Sequence, residues 1–120
     1  MTNLYAVVPV SDKDAGLAWY TAFFARPPDE VLGEEALWQV GANAWLVVDH
    51  RPERTGRANI TLGVTGLDEI LAGWVAGGIG HEPIETYGNG VRHVVVRDPD
   101  DNELALAESP PEWTARFRTD

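Results

Sequence analysis

Apolar and polar positions alternate with a period of two along Leu4–Val10, where Leu4, Ala6, Val8 and Val10 stand against Tyr5, Val7 and Pro9. The same alternation returns in Asn59–Val64, with Ile60, Leu62 and Val64 against Asn59, Thr61 and Gly63. Successive side chains of a strand point to opposite faces, so both segments are predicted to be half-buried strands. Each runs into a stretch with helical spacing: Leu17, Tyr20, Phe23 and Phe24 in the first, Leu67, Ile70, Leu71, Trp74 and Val75 in the second. Arg26-Pro27-Pro28 stops the first helix and Gly77-Gly78 the second. Ser11 with Asp14, and Thr65 with Asp68, set a hydroxyl and a carboxylate three residues apart ahead of each helix, an arrangement that caps a helix start. Two hairpins follow. Ala36–Val40 and Ala44–Val48 flank Gly41-Ala42-Asn43, while Val91–Arg97 and Glu103–Ala107 flank Asp98-Pro99-Asp100-Asp101-Asn102. A short strand is expected before each, at Glu30–Leu32 and Glu82–Ile84.

The two halves are one plan written twice. Shifting the chain by 54 residues lays Val10-Ser11-Asp12-Lys13-Asp14 on Val64-Thr65-Gly66-Leu67-Asp68, Leu17-Ala18 on Leu71-Ala72 and Tyr20 on Trp74. The order β-α-β-β-β therefore occurs in residues 4–49 and again in 58–108, joined by a linker at 50–57 rich in Pro, Arg and Gly, with a tail at 109–120. A chain of 120 residues with 44% apolar content suits one domain.

Charge and composition narrow the chemistry. Nineteen acidic against nine basic residues leave a net charge of −10, which repels phosphate backbones and anionic lipids and points to small molecules, cations or protein surfaces as partners. No nucleic acid and no membrane partner is expected. The absence of cysteine excludes disulfides, thiolate metal sites and thiol catalysis. Met1–Pro9 lacks a basic segment followed by an apolar run, so a cytoplasmic location is expected. No Ser lies in a G-x-S-x-G elbow, and Gly77, Gly78 and Gly80 read as a helix stop rather than a phosphate loop. His50 falls in the polar linker and His81 in a loop. His93 differs, since it interrupts a strand otherwise made of valines and arginines.

Three segments carry a resemblance: V-S-D-x-D-x-x-L-A-x-Y at Val10–Tyr20, G-L-D-E-x-x-A-x-W at Gly66–Trp74 and R-D-P-D-x-N-x-L at Arg97–Leu104. They resemble the vicinal oxygen chelate superfamily, which includes glyoxalase I, extradiol dioxygenases and bleomycin resistance proteins. The resemblance implies an α+β fold of two βαβββ modules forming a curled mixed sheet around a cleft, commonly completed by dimerisation. It also implies metal-ligand positions on the first and last strand of each module, which fall on Tyr5, Asn59, Leu46 and Ala105. None offers an imidazole or carboxylate, and a slip of one residue along any of these strands supplies no better ligand.

The reading is therefore a metal-free, cofactor-free protein without catalytic residues, closest to the bleomycin-resistance-like members, binding a small organic ligand, cations among the candidates, as a homodimer. The alternative is a metal-dependent lyase, isomerase or dioxygenase of the same superfamily. Strand alternation puts Tyr5, Asn59 and Glu103 on the cleft side. One of Trp38 and Trp45 is expected there too, with Trp38 chosen, beside His93; Trp113 is placed at the edge. Five tryptophans in 120 residues favour aromatic cleft walls and an apolar surface for a second copy.

Overall fold

The computed structural model describes residues 1–111. Two four-stranded sheets are built to one topology. In the first module β1 (Leu4–Val10) leads into α1 (Lys13–Phe24), followed by β2 (Glu30–Leu32), β3 (Glu35–Gly41) and β4 (Ala44–His50). A short 3-10 turn at Pro52–Arg54 precedes the second module, which comprises β5 (Asn59–Gly63), α2 (Leu67–Gly77), β6 (Glu85–Thr86), β7 (Arg92–Arg97) and β8 (Glu103–Glu108). Sheet order is β1-β4-β3-β2 and β5-β8-β7-β6. The pairs β1–β4 and β5–β8 are parallel and the others antiparallel. This is the expected α+β fold of two repeated modules. None of the described helices is long and apolar enough to cross a membrane.

Two local expectations are corrected. The last short strand forms at Glu85–Thr86 rather than Glu82–Ile84. Glu82 does donate its N–H to Val95 O at 2.9 Å, but Pro83 has no N–H with which to continue a ladder. Neither hydroxyl caps its helix, because each helix begins later than the hydroxyl requires. Asp12 caps α1, its carboxylate accepting from Ala15 N at 2.8 Å. Gly66 stands at the start of α2, and the Leu67 N–H there donates to Glu108 Oε2 at 2.8 Å, a carboxylate reaching across from β8.

Both helices and one side of both sheets make a single core. Val8, Val10, Trp38, Leu46 and Val48 of the first sheet join Val94, Val96, Leu104 and Leu106 of the second around Tyr20, Phe23, Leu67, Leu71 and Trp74 of the helices. Phe23 stacks on Trp74 at 5.1 Å between ring centres, and the Trp74 indole N–H donates to Phe23 O at 3.0 Å. The modules thus share their interior across the helix pair.

A buried polar junction ties them a second time. Asn102, fully buried in the β7–β8 turn, donates from Nδ2 to Pro9 O and to Asp98 Oδ2, each at 2.8 Å. Its Oδ1 accepts from the backbone N–H of Gly56 and Ala58 at 3.0 and 3.2 Å. Asp98 also accepts from the Tyr20 hydroxyl at 2.7 Å, so α1, β1, the linker and the β7–β8 turn meet at one carboxylate–amide pair. Burial, followed by the charge of Asp98, holds the Tyr20 phenol far above its ordinary range, and it serves as a permanent donor.

Candidate functional site

Register partners in a sheet share a face, so the residues opposite the core positions can be read row by row. On the first sheet the rows facing away from the helices are Tyr5–Trp45–Gln39, Val7–Val47–Leu37–Glu30 and Pro9–Asp49–Glu35–Leu32. On the second they are Asn59–Glu103–Arg97, Thr61–Ala105–Val95 and Gly63–Ala107–His93–Glu85.

The first sheet carries a hollow of about 330 Å³ on this face, lined by Tyr5, Val7, Glu30, Leu32, Glu35, Leu37, Trp45 and Val47. Leu37 and Val47 are buried at its floor although they lie outside the helix-side core. Tyr5 remains 52% exposed, which leaves its ring available to a ligand. Glu30 and Glu35 form no ion pair among the described residues. Two aromatic rings from adjacent strands therefore stand beside two carboxylates that have no ion-pair partner among the described residues, a surface suited to flat or cationic groups.

The second sheet presents a more polar face. Asn59 and Glu103 are register partners, as strand alternation requires, and His93 lies on the same face, stacked on Tyr87 at 5.6 Å between ring centres. Glu103 is already engaged by Arg97 at 3.1 Å. Its charge is compensated by Arg97, whereas Glu30 and Glu35 have no ion-pair partner among the described residues.

Trp38 is the site residue that the structure moves. It is fully buried on the helix side, stacked on Phe24 at 5.2 Å, with its indole N–H donating to Arg26 O at 3.0 Å. Its neighbour on β4, Trp45, lines the hollow instead. Trp113 lies outside the described residues. The carboxylates Glu30 and Glu35 were missed by sequence reasoning; the signal was the placement of Glu35 on the same alternation as Leu37 and Gln39.

No family model and no curated protein sequence matches the chain. Among solved structures, a glyoxalase/bleomycin resistance protein from Catenulispora acidiphila superposes with a TM-score of 0.85 at 40% identity, over 92% of this chain and 100% of the other. The chain belongs to the glyoxalase/bleomycin resistance family. Two more distant structures share the fold. A bleomycin-binding protein complexed with bleomycin has a TM-score of 0.73 at 17% identity, covering 92% of this chain and 98% of its own. A lactoylglutathione lyase from Agrobacterium tumefaciens has a TM-score of 0.69 at 20% identity, covering 88% and 91%.

Within this vicinal oxygen chelate fold the implied metal positions can be tested against their donors. Tyr5 and Asn59 occupy the first-strand positions on the faces away from the helices. The partner of Tyr5 is Trp45 and that of Asn59 is Glu103, so Ala105, two residues beyond Glu103, corresponds to Val47 and not to Leu46. Leu46 points into the core, fully buried. Tyr5, Val47, Asn59 and Ala105 together offer a phenol and an amide, a set that does not fit a catalytic divalent cation. Among the described residues no group of three or more His, Asp or Glu side chains is placed to hold a metal ion.

Proposed function

We propose that this member of the glyoxalase/bleomycin resistance family binds a small organic ligand without transforming it, and that the ligand carries an aromatic ring and a positive charge. The observation that carries the reading is the hollow of the first sheet, where Tyr5 and Trp45 adjoin Glu30 and Glu35. The rings bury a flat apolar body, and the carboxylates select for cations over neutral or anionic analogues. The donor set at the four implied metal positions supports binding over Lewis-acid chemistry, which needs imidazole or carboxylate to hold the ion. Sequestration is then the mechanism: a stoichiometric complex that removes the ligand from solution.

A homodimer completes the site. Tyr5, Val7 and Leu32 are exposed apolar side chains on the outward face of the same sheet, and a second copy laid over that face would enclose the hollow. In that arrangement the polar face of the second sheet, with Asn59, His93 and Glu103, supplies the opposite wall of the cleft.

The test is calorimetric titration of metal-stripped protein with bleomycin, with planar aromatic cations and with their neutral isosteres. Saturable binding of a cation in the presence of chelator is expected. Trp45→Ala and Glu35→Gln should each weaken it, the latter by about 1–3 kcal/mol for a cation and negligibly for the neutral isostere. Stoichiometric high-affinity uptake of Ni²⁺, Zn²⁺, Mn²⁺ or Fe²⁺ would overturn the reading in favour of a metal-dependent lyase, isomerase or dioxygenase.

A further inference from the structure

Seven of the nine basic residues lie within the described chain, and five of them are ion-paired: Lys13 with Glu34, Arg26 with Asp29, Arg51 with Asp49, Arg92 with Asp68 and Glu108, and Arg97 with Asp101 and Glu103. Arg54 and Arg57 form no ion pair among the described residues. In a chain with 19 acidic side chains, two guanidiniums without a carboxylate partner stand out, and both line one open hollow of about 540 Å³. Val7, Pro9 and Ala58 form its apolar side, and Glu53 is its one carboxylate.

The segment that presents these arginines is a fastened loop. Arg51 N–H donates to Val10 O and Arg54 N–H to Arg51 O, each at 3.0 Å. Gly56 sits at φ +80°, where a side chain would be strained, and a Cβ there would meet Asp100 O at 3.2 Å. The amides of Gly56 and Ala58 are both held by the buried Asn102 Oδ1, and Glu103 N–H donates to Ala58 O at 2.9 Å. Fixing the backbone on both sides of Arg57 limits the freedom a bound group would have to remove. Two guanidiniums against one carboxylate leave a local positive surplus on an acidic protein, and planar guanidinium forks match carboxylate and phosphate oxygens.

We propose that Arg54 and Arg57 form an anion subsite that takes the carboxylate or phosphate of a small organic molecule, with its apolar body on Val7 and Pro9. The subsite does not depend on what the hollow of the first sheet binds. Val7 lines both, so a ligand with opposite charges at its two ends can span them.

Side-chain Nε–Hε resonances of ¹⁵N-labelled protein report each arginine during titration with benzoate, phenyl phosphate and inorganic phosphate. Saturable shifts at Arg54 and Arg57 are expected with benzoate or phenyl phosphate, and the stronger of the two names the preferred anion. Arg26 and Arg92 should stay in place. Arg54→Gln and Arg57→Gln should each weaken binding ~10-fold or more, the scale of one charge-assisted contact. Both lie on exposed surface, and an unchanged urea midpoint excludes misfolding as the cause of the loss. Trp45→Ala should leave the shifts intact, which separates this subsite from the aromatic hollow. Equal shifts at every arginine, failure to saturate with either organic anion, or binding that survives the double Arg54→Gln/Arg57→Gln variant would overturn the proposal. Inorganic phosphate binding as tightly as phenyl phosphate would overturn the part assigned to Val7 and Pro9.

Discussion

Replacing Asn102 by alanine removes four hydrogen bonds from a fully buried position: two donated to Pro9 O and Asp98 Oδ2, two accepted from Gly56 and Ala58. At about 1 kcal/mol for each neutral bond, and about 1.5–3 kcal/mol for the one to the Asp98 carboxylate, the loss is roughly 4–6 kcal/mol before relaxation. Water reaching the linker amides recovers part of this, since Gly56 is exposed, so about 3–5 kcal/mol is the expected net cost. That is a large share of the ~5–15 kcal/mol that holds a domain together. Urea unfolding followed by far-UV circular dichroism measures it; with a slope of roughly 1–3 kcal/mol per molar, the midpoint should fall by about 1 M or more. Asn102→Asp tests the cause, because it keeps the shape and both accepted bonds while setting a second carboxylate against Asp98. It should be at least as damaging as alanine at neutral pH. A loss under ~1 kcal/mol for Asn102→Ala, with an unchanged slope, would refute the view that this junction stabilises the fold.

Tyr20→Phe deletes the hydroxyl on Asp98 and should cost about 1.5–3 kcal/mol by the same assay. The phenol titrates higher when folded than when unfolded, so its contribution is complete below pH 10.0, its ordinary value, and is lost as pH rises above it; Tyr20→Phe should flatten this alkaline limb of the stability profile. Glu108 behaves oppositely. The Leu67 N–H, then Arg92, hold its carboxyl below the ordinary 4.5, so the stability it lends is present above that value and lost as pH falls below it. Glu108→Gln should blunt the acid limb of unfolding curves recorded by circular dichroism. Trp74→Ala, which empties the contact between the helices, should cost about 3–5 kcal/mol in the urea midpoint assay. Light scattering at micromolar concentration should give about twice 13.1 kDa, and a monomer mass across that range would remove the dimer from the proposed function.

The fold was legible because the edge strands β1 and β5 keep one face wetter than the other, so their alternation survives in sequence. The central strand β4 does not. Trp45, Leu46, Val47 and Val48 are apolar in succession, and the last three are buried whichever way they point, so nothing in such a run says which parity meets the helices. The family resemblance sets Leu46 at a cleft position, and nothing in this run contradicts that parity. Trp38 failed in the same way: Ala36, Leu37 and Trp38 are all buried in succession on β3, and a register shift between Gln39 and Gly41 hides the phase at the hairpin end. Alternation sets Tyr5, Asn59 and Glu103 on the faces away from the helices, and the register of the two sheets puts them there; it leaves the face of His93 open, and only the pairing of His93 with Ala107 places it on that side. The pairing of Glu103 with Arg97, and the lack of an ion pair for Arg54 and Arg57 among the described residues, are balances of charge that no local pattern encodes.

The shared interior on one side of the sheets has a consequence for how this scaffold can diverge. Positions 5, 7, 30, 32, 35 and 45 look outward onto the hollow, and none belongs to the cluster that joins the two helices. With the ligand held at this hollow as proposed, ligand preference and folding free energy draw on largely separate sets of residues in the same strands. A substitution that exchanges a ring for a charge at Tyr5 or Trp45 should alter the proposed recognition while leaving the packing of Phe23 on Trp74 untouched. A lineage built this way can sample new ligands without first accumulating spare stability, and a library randomised at the outward positions should stay folded where one randomised at Val8, Leu46 or Leu104 would collapse.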